Sequence, residues 1–168
     1  MTVAVLVIVG LPGTGKTTVA KEISSKLGCG FLDTDDIVAS SVGCPVAQYL
    51  RTEGEAAFRE AECRALEEAL DADAIVATGG GIVTTPRARQ VLASQRTFWL
   101  DCGDDEILAR VDDGDRPLLG DEPRSSLARL RAQREQWYRE VSCVCIDASG
   151  TLDQVVERVL KEAQKVER

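Results

Sequence analysis

A continuous apolar run that passes straight into a glycine-rich loop constrains this chain more than any other feature. Residues 3–9 read VAVLVIV, with no polar alternation and five β-branched side chains. Such a run must be buried on both faces, as in a strand of a parallel sheet covered by helices on either side. The next residues, GLPGTGKT at 10–17, satisfy G-x-x-x-x-G-K-[ST] with Gly10, Gly15, Lys16 and Thr17. A helix follows, because TTVAKEISSKLG sets Val19, Ala20, Ile23 and Leu27 at helical spacing with Gly28 as the stop. In a strand–loop–helix of this kind the backbone N–H groups close around phosphate oxygens without a Cβ in the way, and the helix N-terminus adds its positive end. Gly10, Leu11, Pro12, Gly13, Thr14, Gly15, Lys16, Thr17 and Thr18 are therefore expected to hold the phosphates of a nucleotide. Lys16 reaches the β and γ phosphates, and the Thr17 hydroxyl ligates Mg²⁺.

Further apolar runs at GFLD, AIVAT, RTFWLD and VSCVCID read as strands, with helical patterns between them. The clearest helix is expected to begin at Thr52, where TEGE has the form of a capping box with Glu55, and to run to about Leu70. Others are expected from about Arg124 to Arg139 and from Thr151 onward, the last with Leu152, Val155, Val156, Val159, Leu160 and Ala163 on one face. Strand and helix alternate along the whole chain, so the expected fold is α/β: an open three-layer α/β/α sandwich around a parallel sheet. At 168 residues it should form a single domain, 1–168. Residues 112–123, DDGDRPLLGDEP, carry glycine, proline and charge with no period, and read as a mobile loop.

The chain is acidic, with a formal charge of −8 and a pI near 4.7, which argues against a nucleic-acid partner. Six cysteines show no CxxC pair and there is no histidine, so they are expected to be small core residues in a reducing cytosol rather than zinc ligands. The opening apolar run is too short to span a bilayer and no basic segment precedes it, which predicts a soluble, cytoplasmic protein. No asparagine exists to build a guanine-reading Asn-Lys-x-Asp element, and neither H-R-D nor D-F-G occurs. A small-molecule or nucleotide kinase is the class that remains.

Such a kinase needs a second site that holds an acceptor hydroxyl in line with the γ-phosphate. Its candidate parts are the carboxylates of FLDTDDIV at 31–38, the Arg59 and Glu62 pair, and TGGG at 78–81, where glycines at a strand's C-terminal end let backbone approach a ligand. On pattern alone Arg59 and Glu62, three apart, could equally be a surface ion pair. Nor do the residues alone choose between Asp33, ending GFLD, and Asp101, ending RTFWLD, as the carboxylate beside the metal.

Taken together, GLPGTGKTT, DTD at 33–35, FRE at 58–60 with Glu62 beyond, GGG at 79–81, RPLL at 116–119 and Arg134 to Tyr138 in RxxxY resemble the shikimate kinase family in order and approximate spacing. That resemblance covers nearly the whole chain and implies a five-stranded sheet of the nucleoside monophosphate kinase-like P-loop type. It implies ATP-dependent phosphorylation of the 3-hydroxyl of shikimate, with Mg²⁺ as cofactor, in a monomeric enzyme of aromatic amino acid biosynthesis. By the same resemblance Asp33 supports the metal with Thr17, and Asp35 bonds the acceptor hydroxyl and takes its proton. Arg59 and Arg134 hold the substrate carboxylate, while Gly79, Gly80 and Gly81 touch the ring. Arg110 lies near the nucleotide and Arg116 swings onto the phosphates from a lid at about 112–123, with a substrate-binding helical segment at about 35–62. Asp36 is expected to be a solvated helix-start residue. The chain departs from the family at Asp36, at Leu50 where an aromatic is common, and in its acidic lid. Two rivals stay open: a kinase of the same fold for another polyol or a nucleoside monophosphate, and an ATP-binding regulatory protein without transfer activity.

Overall fold

In the computed structural model, which describes residues 6–112 and 119–166, strand β1 (Leu6–Val9) is buried along its whole length. Its flanks explain why: β3 (Ala74–Ala77) pairs with it on one side and β4 (Thr97–Asp101) on the other, both parallel. With β2 (Gly30–Asp33) beyond β3 and β5 (Val144–Asp147) beyond β4, the five strands run in the order β2-β3-β1-β4-β5. All five lie within the runs picked out by apolar content. Helices α1 (Lys16–Leu27) and α7 (Leu152–Val166) cover one face, and α3 (Val46–Leu70), α4 (Pro86–Ala93) and α6 (Pro123–Val141) the other. Between them they bury Val7, Ile8, Val76, Phe98 and Leu100 completely, at roughly 1.5–3 kcal/mol for each large apolar side chain removed from water.

Local chemistry sets the helix ends. Gly28 stops α1 in the left-handed conformation. Thr151 and Gln154 exchange bonds at the start of α7, where each backbone N–H is accepted by the other's side chain, at 3.0 and 3.3 Å. The Asp33 side chain caps α2 (Thr34–Val42) by accepting from the Asp35 N–H. Asp36 lies exposed in the first turn of α2, as the sequence suggests.

Two expectations need correction. Helix α3 starts at Val46 rather than Thr52, and its irregularity is at Gly54, whose backbone (φ 85°, ψ 172°) breaks the helix into two pieces. Thr52 does not cap; its hydroxyl donates back to the Gln48 and Tyr49 carbonyls. The cysteines also divide: Cys63 and Cys102 are buried, but Cys143 and Cys145 are exposed. Strand β5 lies at the sheet edge, and only its Ile146 side is packed.

Helix α2 (Thr34–Val42) and the part of α3 after Gly54 form a small second core of Val38, Phe58, Ala61 and Ala65, with Tyr49 and Leu50 from the part before Gly54 packed against it. Beyond β4, α5 (Asp104–Asp112) packs against α6. Every loop that carries a candidate residue leaves the C-terminal edge of the sheet, the edge where open parallel sheets bind ligands.

Candidate active site

The phosphate loop joins β1 to α1. Gly10 lies so close to the Leu100 carbonyl of β4 that no side chain fits there. The Thr14 hydroxyl and the Lys16 ammonium both donate to the Leu11 carbonyl, each at 2.9 Å, which folds the loop back over the start of α1. Lys16 is almost completely buried. Next along α1, the Thr17 hydroxyl donates to Asp33 Oδ2 at 2.8 Å, while Asp33 Oδ1 accepts from the Asp35 N–H at 2.9 Å. One carboxylate thus ties the phosphate loop to the start of α2.

Asp33 and Asp101, equivalent by sequence, have different surroundings. Arg131 of α6 grips Asp101 at 2.8 Å and Asp104 at 2.7 Å. Of the two, Asp33 is the one beside Thr17.

On the acceptor side, Asp35, Glu62, Arg59 and the glycine turn after β3 meet. A Cβ on Gly79 would lie 2.6 Å from Glu62 Oε1 and 3.0 Å from Asp35 Oδ1; one on Gly80 would strike Pro12, and one on Gly81 the Arg59 guanidinium. Residues 79–81 therefore have to be glycine for these side chains to pack where they do. Arg59 Nη1 donates to Glu62 Oε2 at 2.7 Å, and Glu62 is 1% exposed, so the pair is buried and not a surface ion pair. Burial pushes the Asp35 carboxyl above its ordinary range, aided by Asp33 and opposed by Lys16. Burial likewise raises Glu62, with Arg59 opposing.

Among the arginines of α6, Arg124, Arg131 and Arg139 each pair with a carboxylate. Arg134 makes no ion pair among the described residues, and its Nε, like that of Arg59, is buried without an acceptor. Its neighbour Tyr138, 1% exposed, stacks on Trp99 at 6.0 Å and donates its hydroxyl to the Gly80 carbonyl. Burial pushes the phenol up to about 12, with the nearby Arg134 charge opposing.

On the other side of the loop opens a cleft of about 360 Å³ lined by Gly13, Thr18, Arg110, Ala148, Gly150 and Leu152, among others. Arg110 donates to the carbonyls of Thr14 and Ala148, and its Nη2 meets Glu106 at 2.6 Å. Glu106 also accepts from the Gly150 N–H at 3.0 Å, so it joins two walls of the cleft.

Comparison with known proteins fits this arrangement. The family model described as shikimate kinase matches residues 12–164. A shikimate kinase of Frankia casuarinae is 42% identical over 147 residues, covering 86% of this chain and 65% of the relative's own length. One of Corynebacterium jeikeium is 40% identical, covering 86% and 79%. The chain belongs to the shikimate kinase family. Among solved structures, a shikimate kinase from Acinetobacter baumannii in complex with shikimate superposes with a TM-score of 0.90 at 31% identity, covering 98% of this chain and 94% of that one. The fold is thus that of the shikimate kinases, and membership of the family makes the protein a phosphotransferase with ATP as phosphate donor.

Of the residues that the sequence reading selects, the structure gathers Gly10, Leu11, Pro12, Gly13, Thr14, Gly15, Lys16, Thr17, Thr18 and Arg110 around the cleft and loop. Asp35, Arg59, Gly79, Gly80, Gly81 and Arg134 form the acceptor side. Arg116, and with it most of the 112–123 segment, lies outside the described residues. Three features of the site escaped the sequence. Thr34 is wholly buried and accepts from the Gly79 N–H at 3.2 Å; Glu106 shows only its spacing to Arg110; and the Tyr138 bond to Gly80 crosses 58 residues. No helix among the described residues is long and apolar enough to cross a membrane.

Proposed function

We propose that the protein transfers the γ-phosphoryl group of ATP to the 3-hydroxyl of shikimate, giving shikimate 3-phosphate, as a cytoplasmic enzyme that needs only one chain per site. The observation that best supports this is the charge layout of the acceptor side. Glu62 is a single buried carboxylate facing two guanidinium groups, Arg59 and Arg134, whose Nε atoms lack acceptors. Arg59 is paired with Glu62 and Glu55, but Arg134 makes no ion pair among the described residues, which suits a ligand that carries one carboxylate and a hydroxyl to be phosphorylated.

In this reading Asp35 orients the acceptor hydroxyl and takes its proton, a role helped by the raised affinity of its carboxylate for protons. Lys16 sits against the transferring phosphate, and Arg116 closes over it from the lid. Thr17 and Asp33, two oxygen ligands 2.8 Å apart, fit the hard, oxygen-preferring Mg²⁺, which keeps most of its shell from water and phosphate. When bound, the ion neutralises charge on the phosphates. Chemistry of this kind depends on positioning and charge neutralisation more than on a strong base, in keeping with a chain that has no histidine.

ADP release from Mg·ATP tests the proposal, with shikimate, gluconate and AMP as parallel acceptors. Stimulation by shikimate alone is expected. Equal or greater stimulation by gluconate or AMP would transfer the assignment to a polyol or nucleotide kinase, and stimulation by none would favour an ATP-binding protein without transfer activity.

A further inference from the structure

The carbonyl oxygens of the glycine turn are all engaged. Gly79 O accepts from the Ile82 N–H at 3.2 Å, and Gly81 O from the Thr84 N–H at 3.0 Å and its hydroxyl at 2.7 Å. Gly80 O accepts from the Tyr138 hydroxyl. By contrast, the N–H groups of Gly80 and Gly81 have no acceptor among the described residues. In a trans peptide the carbonyl and the N–H point in opposite directions, so a Gly80 carbonyl held toward Tyr138 turns the Gly81 N–H away from it. The two other carbonyls are held by residues within the turn itself. Only the middle one depends on a distant helix.

The Arg134 guanidinium, one turn earlier on α6, stands close enough to the same phenol for its charge to act on it. Tyr138 therefore stands between an arginine and a peptide unit of the acceptor side, and its hydroxyl is bonded to the peptide. Its ring, stacked on Trp99, has little freedom to swing away.

We propose that Tyr138 is a positioning residue for the acceptor: its hydroxyl, bonded to the Gly80 carbonyl and one helical turn from Arg134, fixes the Gly80–Gly81 peptide relative to the clamping arginine, so that a carboxylated ring alcohol meets both together. This rests on the reading of the acceptor site above, and it adds a residue that need not touch the substrate. Because burial keeps the phenol protonated up to about pH 12, the clamp does not loosen as pH rises through the neutral range.

Tyr138→Phe removes the hydroxyl and leaves the ring on Trp99. The expected result is a KM for shikimate raised roughly three- to tenfold, the loss of about one hydrogen bond to a neutral carbonyl, with the KM for ATP within about twofold. Trp99→Phe is the companion variant: it keeps an aromatic ring for Tyr138 to stack on and leaves the Gly80 bond in place, so it should lower the thermal midpoint with the shikimate KM within about twofold. A folded Tyr138→Phe protein with an unaltered shikimate KM, or with both KM values raised alike, overturns the proposal. A measurement on the unsubstituted chain covers the case in which Tyr138→Phe does not fold. The sequence holds two tyrosines, Tyr49 and Tyr138, so uniform 3-fluorotyrosine labelling gives two fluorine resonances. Shikimate should shift the Tyr138 line, and a line that stays put at saturating shikimate overturns the proposal. The parent assay of ADP release comes first, so that failure of the substrate assignment is seen separately from failure of this one.

Discussion

Gly81→Ala should damage acceptor binding through one side chain alone. The backbone at Gly81 (φ −91°, ψ 0°) is open to any residue, so alanine adds no strain there. Its Cβ, however, would lie 2.7 Å from Arg59 Cζ, with both terminal nitrogens closer still. Carbon atoms settle at about 3.5–4.0 Å, so the guanidinium has to retreat by roughly 1 Å. That retreat pulls Arg59 off Glu62, now 2.7 Å away, in a place where the arginine is only 19% exposed and solvent screens little. A charge-assisted contact of this kind contributes about 1.5–3 kcal/mol, equivalent to about 10- to 150-fold in the acceptor's KM. The assay is steady-state ADP release, with shikimate varied at saturating ATP and then the reverse. The shikimate KM should rise within that range and the ATP KM should hold. A double-mutant cycle makes the test stricter, because in an Arg59→Met background Gly81→Ala should cost almost nothing further. A shikimate KM within twofold of the parent, or fully additive effects in the cycle, would refute the reasoning.

Asp35→Asn should abolish turnover while sparing ATP binding. It should also raise stability at neutral pH: the folded state holds the Asp35 proton more tightly than the unfolded chain does, so the group stabilises below about pH 3.8 and that contribution is lost as pH rises through its elevated folded value. Denaturant melts of both proteins at pH 7 check this, and a less stable asparagine variant would contradict it. Glu106→Gln weakens the tie between Arg110 and the Gly150 N–H, so the KM for ATP should rise several-fold with the shikimate KM unmoved, as read in the same steady-state assay. Gly54→Ala should cost about 1–3 kcal/mol, since that backbone region is nearly confined to glycine and no neighbouring atom lies within 4 Å of the added methyl to contribute a clash; thermal unfolding measures it.

How far the chain could be read in advance depended on the range of the interactions involved. Strands buried on both faces, such as β1 and β3, advertise themselves as apolar runs, and GFLD coincides to the residue with the half-buried edge strand β2. The phosphate loop is legible because its requirements are local: glycines, one lysine and one hydroxyl between a strand and a helix. Helix α3 was misplaced because TEGE imitates a cap, while the actual break is the unusual dihedral of Gly54 beside it. Arg59 and Glu62 carry the spacing of any surface pair. What buries them is the turn at residues 79–81, which no local pattern connects to α3. Arg134 could not be told from Arg131 by composition; the difference is that Arg131 is consumed by Asp101 and Asp104.

The strand order has a consequence for how the protein comes into being. Strand β1 is made before both of its neighbours, β3 and β4, the latter ending at Asp101. For the roughly 65 residues before β3, and on its other edge for the roughly 90 before β4, on the order of 3–20 s at cellular synthesis rates, an entirely apolar strand waits with a hydrogen-bonding edge open. Until Leu100 arrives, the floor beneath Gly10 is missing as well. A nascent chain therefore becomes able to grip nucleotide only once β4 has been made, and until then ATP cannot help it fold.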